Sequence, residues 1–193
     1  MVGNLSSLIA TIKKTGLTFA PEAGSLRLRK ILGKNFDSQG FFTAIEQAYI
    51  SGYQRIKLYF MIGLPSEEKE DLDAIIEFCN SVSDLRKIAH KNSALINISV
   101  NTLIPKPHTP FQWFAMQGLE GIKDKQDYLR NRMNNKKFKL SFHNRYMSIL
   151  EGILSRGDRR LSEVIYRAFK QGAKFDAWAD HFRFEKWQEA FYE

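Results

Sequence analysis

The chain of 193 residues contains a single cysteine, Cys79. No disulfide can form within it, and a reducing cytoplasm is the expected setting. Its four histidines, His90, His108, His143 and His181, are far apart and match no ligand spacing, so no metal site is expected from this chain alone. No apolar run is long enough to cross a bilayer, so no membrane partner is expected. The opening stretch MVGNLSSLIATIKK lacks the basic start, apolar segment and cleavage site of a secretory signal. There is no internal repeat and no low-complexity linker.

What is present is ordinary globular material. Hydrophobic residues make up 44% and charged residues 26%, a balance that allows a real core to be buried. The net charge of +8 permits RNA, DNA, phosphate or acidic lipid as a partner without selecting among them. Basic residues thicken in RNRMNNKKFK (Arg130 to Lys139) and RGDRR (Arg156 to Arg160). A solvated helix end and loop is the plainer reading of these runs, and a nucleic-acid patch is the sharper one.

The pattern along the chain alternates. Leu5, Leu8, Ile9 and Ile12 have helical spacing over residues 4–14, which Gly16 ends. LTFAPE (Leu17 to Glu22) reads as a strand, followed by a turn and a short helix in GSLRLRKIL. Asp37 or Ser38 caps a further helix with Phe41, Ala44, Ile45 and Ala48 on one face and Gly52 at its end. RIKLYFMI (Arg55 to Ile62) is a second strand. Ser66 is positioned to cap the next helix, whose apolar face is Leu72, Ile75, Ile76, Cys79 and Val82. Cys79 therefore reads as core. LINISVNTLIP (Leu95 to Pro105) is a third strand. Such alternation implies parallel strands with crossover helices. Beyond KPHTPFQW the chain turns mostly helical, with a short strand at FKLSF.

Side chains alternate across a strand. Ile56, Leu58, Phe60 and Ile62 share one face of the second strand, and Lys57, Tyr59 and Met61 share the other. Treated the same way, Thr18, Glu22, Asn97, Ser99 and Asn101 fall on the side of Lys57. This second face is too polar for a dry core, because buried polar groups need partners. Two readings of Lys57 stand side by side. It pairs with Glu22 on the neighbouring strand, or it reaches a ligand carboxylate or phosphate.

Three segments in order, APEAGSLRLRKI, LYFMIGLPSE and TLIPKPHTPFQW, resemble the fourth, fifth and sixth strands of the radical S-adenosylmethionine (SAM) domain and the turns that leave them. The first is similar to the QSGS segment of the radical methylthiotransferases. LEGILSRGDRRL, AFKQGAKFDAW and HFRFEKWQEAF resemble a bacterial group of large radical SAM proteins of poorly defined substrate, some with a cobalamin-binding-like domain ahead of the radical domain. The resemblance implies an α/β fold. Residues 1–115 would be the C-terminal half of a (β/α)6 partial TIM-type barrel with parallel strands. Residues 116–193 would be a mostly helical extension.

The resemblance also implies roles. Glu22 would contact the ammonium or ribose of SAM, Gly24 would admit the backbone, and Ser25 would donate a hydrogen bond or simply cap a helix. Lys57 or Arg27 would hold the carboxylate, with Tyr59 beside it. Leu103, Ile104 and Pro105 would wall the adenine, and Asn101, Lys106 and His108 would face substrate. One departure is decisive for chemistry. The superfamily holds a [4Fe–4S] cluster on C-x-x-x-C-x-x-C, and this sequence has no such motif. SAM and the cluster are thus expected in a complete protein, with neither bound to this chain alone. The implied partner is the missing N-terminal half of the barrel, in the same or a separate chain. Two rival functions are a basic RNA-binding or RNA-modifying module and a non-catalytic interaction domain that self-associates through exposed strand edges.

Overall fold

A computed structural model describes residues 16–192, so the helix expected over 4–14 lies outside the described residues. Four strands, β1 (Leu17–Glu22), β2 (Ile56–Ile62), β3 (Ile96–Thr102) and β4 (Phe138–Phe142), form among the described residues one sheet in the order β1-β2-β3-β4. All three pairings are parallel. The expected order of the first three strands is the observed one. The short strand expected at FKLSF forms, and it pairs with β3 from Ile96↔Phe138 to Val100↔Phe142.

The helices are α1 (Leu26–Ile31), α2 (Ser38–Ile50), α3 (Lys69–His90), α4 (Leu119–Arg132), α5 (Arg145–Arg156), α6 (Leu161–Lys170) and α7 (Phe184–Tyr192). The chain divides into two compact units. One runs up to Leu103 and takes in Glu120–His143, so it holds the whole sheet. The other comprises Ile104–Leu119 and the residues from Asn144 onward.

Alternation governs the first unit. Ile56, Leu58, Phe60 and Ile62 of β2 and Ile96, Ile98 and Val100 of β3 are buried. They form one core with Ile45 and Tyr49 of α2, Leu72, Ile75, Cys79 and Val82 of α3 and Leu129 of α4. Full burial of each such side chain is worth about 1.5–3 kcal/mol. Cys79 is core, as its helical position implied, and burial pushes its thiol pKa up, away from reactivity.

Of the two cap candidates for α2, Asp37 is the one used, accepting from the Gln39 and Gly40 amides at 3.0 and 2.9 Å. One helix start differs from expectation: at α3 the cap is Glu68, not Ser66. Ser66 has a φ of 58°, in the left-handed region, whereas a cap residue is extended. Asp71 in the first turn of α3 accepts from the Glu68 amide at 2.8 Å.

In the second unit a separate small core gathers Leu150, Ala168, Phe182, Trp187 and Ala190. Asn144 caps α5, accepting from the Tyr146 and Met147 amides. At the other end of α5, Arg156 ties down the 104–119 segment by donating to the carbonyls of Phe114 at 2.7 Å and Pro105 at 3.3 Å.

Candidate functional site

None of the side chains on the second face of the sheet belongs to the buried core of the first unit. These side chains fall into rows set by the register. Thr18, Lys57, Asn97 and Lys139 lie side by side across the four strands. Tyr59, Ser99 and Ser141 form the next row, and Met61 and Asn101 the one beyond. All are half-buried or exposed. Lys57 is half-buried, with its ammonium 4.5 Å from the centre of the Tyr59 ring. This cation–π contact supports the charge without a carboxylate. With Lys139 two strands away, the face is positive.

Glu22 does not pair with Lys57. The pairing of β1 with β2 shifts between Phe19 and Glu22, so that Glu22 stands opposite Phe60 instead of Met61. The shift takes Glu22 out of the alternation that would have set it beside Met61, on the side of Lys57. Its φ is 67°, an unusual conformation for a residue with a side chain, and its carboxylate lies 3.7 Å from Lys34. The expectation that Glu22, Lys57 and Asn101 share one side is therefore corrected for Glu22 alone.

The turn after β1 is held by the expected Ser25 cap and by contacts to α3 that sequence reasoning missed. Gly24 packs on α3. A Cβ there would lie 2.2 Å from the Ile75 amide nitrogen and 2.3 Å from the Ala74 carbonyl carbon. Ser25 caps α1 by accepting from the Leu28 amide at 3.2 Å, and its hydroxyl donates to Asp71 at 2.5 Å. Arg27 pairs with the other Asp71 oxygen and donates to the Ser66 carbonyl at 2.8 Å. Asp71 is thus a buried hub. Burial alone would raise its pKa, but hydrogen bonds from Ser25, the Glu68 amide and Arg27 outweigh this and hold it below the usual carboxylate range. Its place at the third position of a capped helix was the available signal.

Two more buried charges were not foreseen. Arg29 is 4% exposed and donates to the Gly24 carbonyl at 2.6 Å and the Ser38 hydroxyl at 3.1 Å. It also lies against the Phe36 and Phe78 rings. Burial pulls its pKa down from its ordinary value. Glu67, in the turn after β2, accepts from the Gly63 amide at 2.7 Å and pairs with Lys125 of α4 at 2.5 Å. Burial raises its pKa against the opposing pull of Lys125.

Leu103 closes β3, donating its amide to the Ile62 carbonyl at 2.8 Å. Ile104, Pro105, Lys106 and His108 belong to the second unit. There Lys106 pairs with Glu151 at 2.6 Å, and His108, with φ of 61°, donates its amide to the Gln112 side chain at 3.2 Å. Among the described residues no group of histidine, cysteine, aspartate or glutamate is placed to hold a metal ion. No described helix is long and apolar enough to cross a membrane.

Comparison with known proteins adds one relative. The chain is 35% identical over 160 residues to an uncharacterized protein of Methanocaldococcus jannaschii, a match covering 82% of this chain and 34% of that protein. The chain thus spans about a third of the length of the relative it matches. No family model matches the chain, and no solved structure matches it.

Proposed function

We propose that this chain is the cofactor- and substrate-binding part of a radical SAM enzyme, built as the C-terminal half of a partial (β/α)6 barrel. The observation that supports the reading best is the polar face of the sheet. Parallel sheets are ordinarily covered on both sides, yet here the residues opposite the helix-covered core are Lys57, Tyr59, Asn97, Ser99 and Asn101. A face of that composition suits the inside of a barrel that takes a polar ligand.

The side-chain geometry narrows the roles. Arg27 is engaged by Asp71 and Ser66, and Ser25 by Asp71 and the end of α1. Lys57 is then the cation to meet a carboxylate on the polar face, with Tyr59 steadying it and Asn101 beyond. Glu22, which the register shift takes off the side of Lys57 and which lies 3.7 Å from Lys34, is left out of this site. Leu103 offers an apolar wall at the end of β3. These residues fit SAM, which when bound supplies a carbon–sulfur bond open to one-electron cleavage. The described residues do not fit an iron–sulfur cluster: Cys79 is buried in the core and no ligand group stands near it. In this reading the cluster is held by another segment of the complete protein.

The test is the complete protein, expressed from the reading frame that contains this chain and reconstituted anaerobically with iron and sulfide. The expected results are a C-x-x-x-C-x-x-C motif in that frame, a [4Fe–4S] paramagnetic signal, and SAM binding by calorimetry that weakens in Lys57→Met. A complete protein that neither binds SAM nor assembles a cluster would overturn the proposal.

A further inference from the structure

The two basic runs that stand out in the sequence are largely spent on internal contacts. In the first, Arg130 pairs with Asp127, Arg132 with Asp73 and Lys137 with Asp84. In the second, Arg156 is turned onto backbone carbonyls and Arg160 pairs with Asp158. Lys170 and Lys174, on and just after α6, have no carboxylate in ion-pair reach among the described residues and lie instead against exposed rings. The Lys170 ammonium sits 5.3 Å from the centre of the Tyr166 ring, and that of Lys174 5.3 Å from the Phe169 ring. Both rings face solvent, at 55% and 54% exposure, and Trp178 a little further on is 67% exposed. The one carboxylate on α6, Glu163, is neutralised by Arg167 at 3.1 Å.

We propose that the surface formed by Tyr166, Phe169 and Lys170 of α6 and Lys174 just after it binds single-stranded nucleic acid. Tyr166 and Phe169 are three residues apart, so they neighbour each other along one side of the helix. Each ring offers a surface on which a base stacks, and each carries a lysine within reach of a phosphate. A solvent-facing aromatic with no cation would suit many partners. The lysine over each ring narrows the choice. An ammonium held there must be stripped of water before the ring enters hydrocarbon, which opposes membrane insertion. A nucleotide uses both the ring and the charge. This inference is independent of the reading of the sheet face.

The experiment uses the 193-residue chain and fluorescein-labelled 12-nucleotide oligouridylate and oligothymidylate, followed by anisotropy at several salt concentrations. Binding of either oligomer is expected, with Tyr166→Ala and Phe169→Ala each weakening it about tenfold or more. The Lys170→Ala, Lys174→Ala double variant should flatten the dependence of log affinity on log salt by about 1.4, at about 0.7 per phosphate contact. Lys30→Ala, Lys91→Ala removes the same charge from the other unit and should leave the slope unchanged. Circular dichroism checks that each variant is folded. Absence of binding, or binding indifferent to the two aromatic variants, would overturn the proposal. So would anisotropy changes matched by sedimentation with phosphatidylserine vesicles. Self-association of the free chain that the aromatic variants abolish would likewise assign the face to a second copy.

Discussion

Replacing Gly24 by alanine adds one methyl group at a place where the tertiary structure has no room. The new Cβ would lie 2.2 Å from the Ile75 nitrogen, 2.3 Å from the Ala74 carbonyl carbon and 2.7 Å from the Ala74 oxygen. These are backbone atoms of α3, so no rotamer change relieves the clash. Either α3 lifts off the sheet, opening space beneath the buried Ile75, or the turn after β1 moves and stretches the links from Ser25 and Arg27 to Asp71. Overpacking usually costs about 1–3 kcal/mol, and rigid neighbours put this case near the top of that range. Gly118 is the control. A Cβ there meets nothing within 4 Å, and neither glycine has a positive φ, so the contrast is one of space alone. Gly118→Ala should be neutral or stabilise by about 0.4–1 kcal/mol. Urea unfolding followed by circular dichroism reads both, and Gly24→Ala should lower the midpoint by about 1 M or more. A Gly24→Ala protein within about 0.5 kcal/mol of the parent would refute the packing argument and return Gly24 to the role of admitting a cofactor.

Three further outcomes follow from the same contacts. Asp71→Asn should cost about 2 kcal/mol in the same unfolding assay, because a buried acceptor of three donors loses its charge and turns an amide toward one of them; Arg27→Ala should cost less, since that guanidinium is 44% exposed. Lys57→Met should change stability by less than about 0.5 kcal/mol, because Lys57 rests on Tyr59 and strands no buried carboxylate; a large loss rescued by Glu22→Gln would show that the two residues pair after all. Asp84 is held down to about 2 by Lys87 and Lys137, with Ser93 assisting. Its contribution to stability should be present above about pH 4, the ordinary carboxylate value, and disappear as pH falls toward 2. Asp84→Asn should flatten that limb of an acid titration of the melting temperature, and an unchanged limb would contradict the assignment.

Much of the fold is legible in short windows of sequence. The period of two in IKLYFMI and INISVNT separates a covered face from a polar one, and the helical spacing of Leu72, Ile75, Ile76, Cys79 and Val82 names the surface that covers it. Both are local, since each residue's direction follows from its neighbours along one strand or helix. That is why the strand order, the burial of Cys79 and the place of Lys57 on the polar face need no tertiary information beyond alternation of strands and helices.

What only the tertiary structure decides is which distant residues meet. The shift between Phe19 and Glu22 arises from pairing with another strand, so nothing within LTFAPE announces that Glu22 leaves the alternation it would share with Thr18. Gly24 reads from sequence as a glycine beside a ligand, and its actual neighbour is the backbone of α3, some fifty residues on. Asp71 becomes a hub because α3 begins against the turn after β1, and Glu67 meets Lys125 because α4 packs beside the end of β2. The spent charges of Arg130, Arg132 and Lys137, and Lys170 and Lys174 lying against rings rather than carboxylates, have the same origin. A run of basic residues shows charge, but whether that charge faces a carboxylate or the solvent depends on where another element comes to rest.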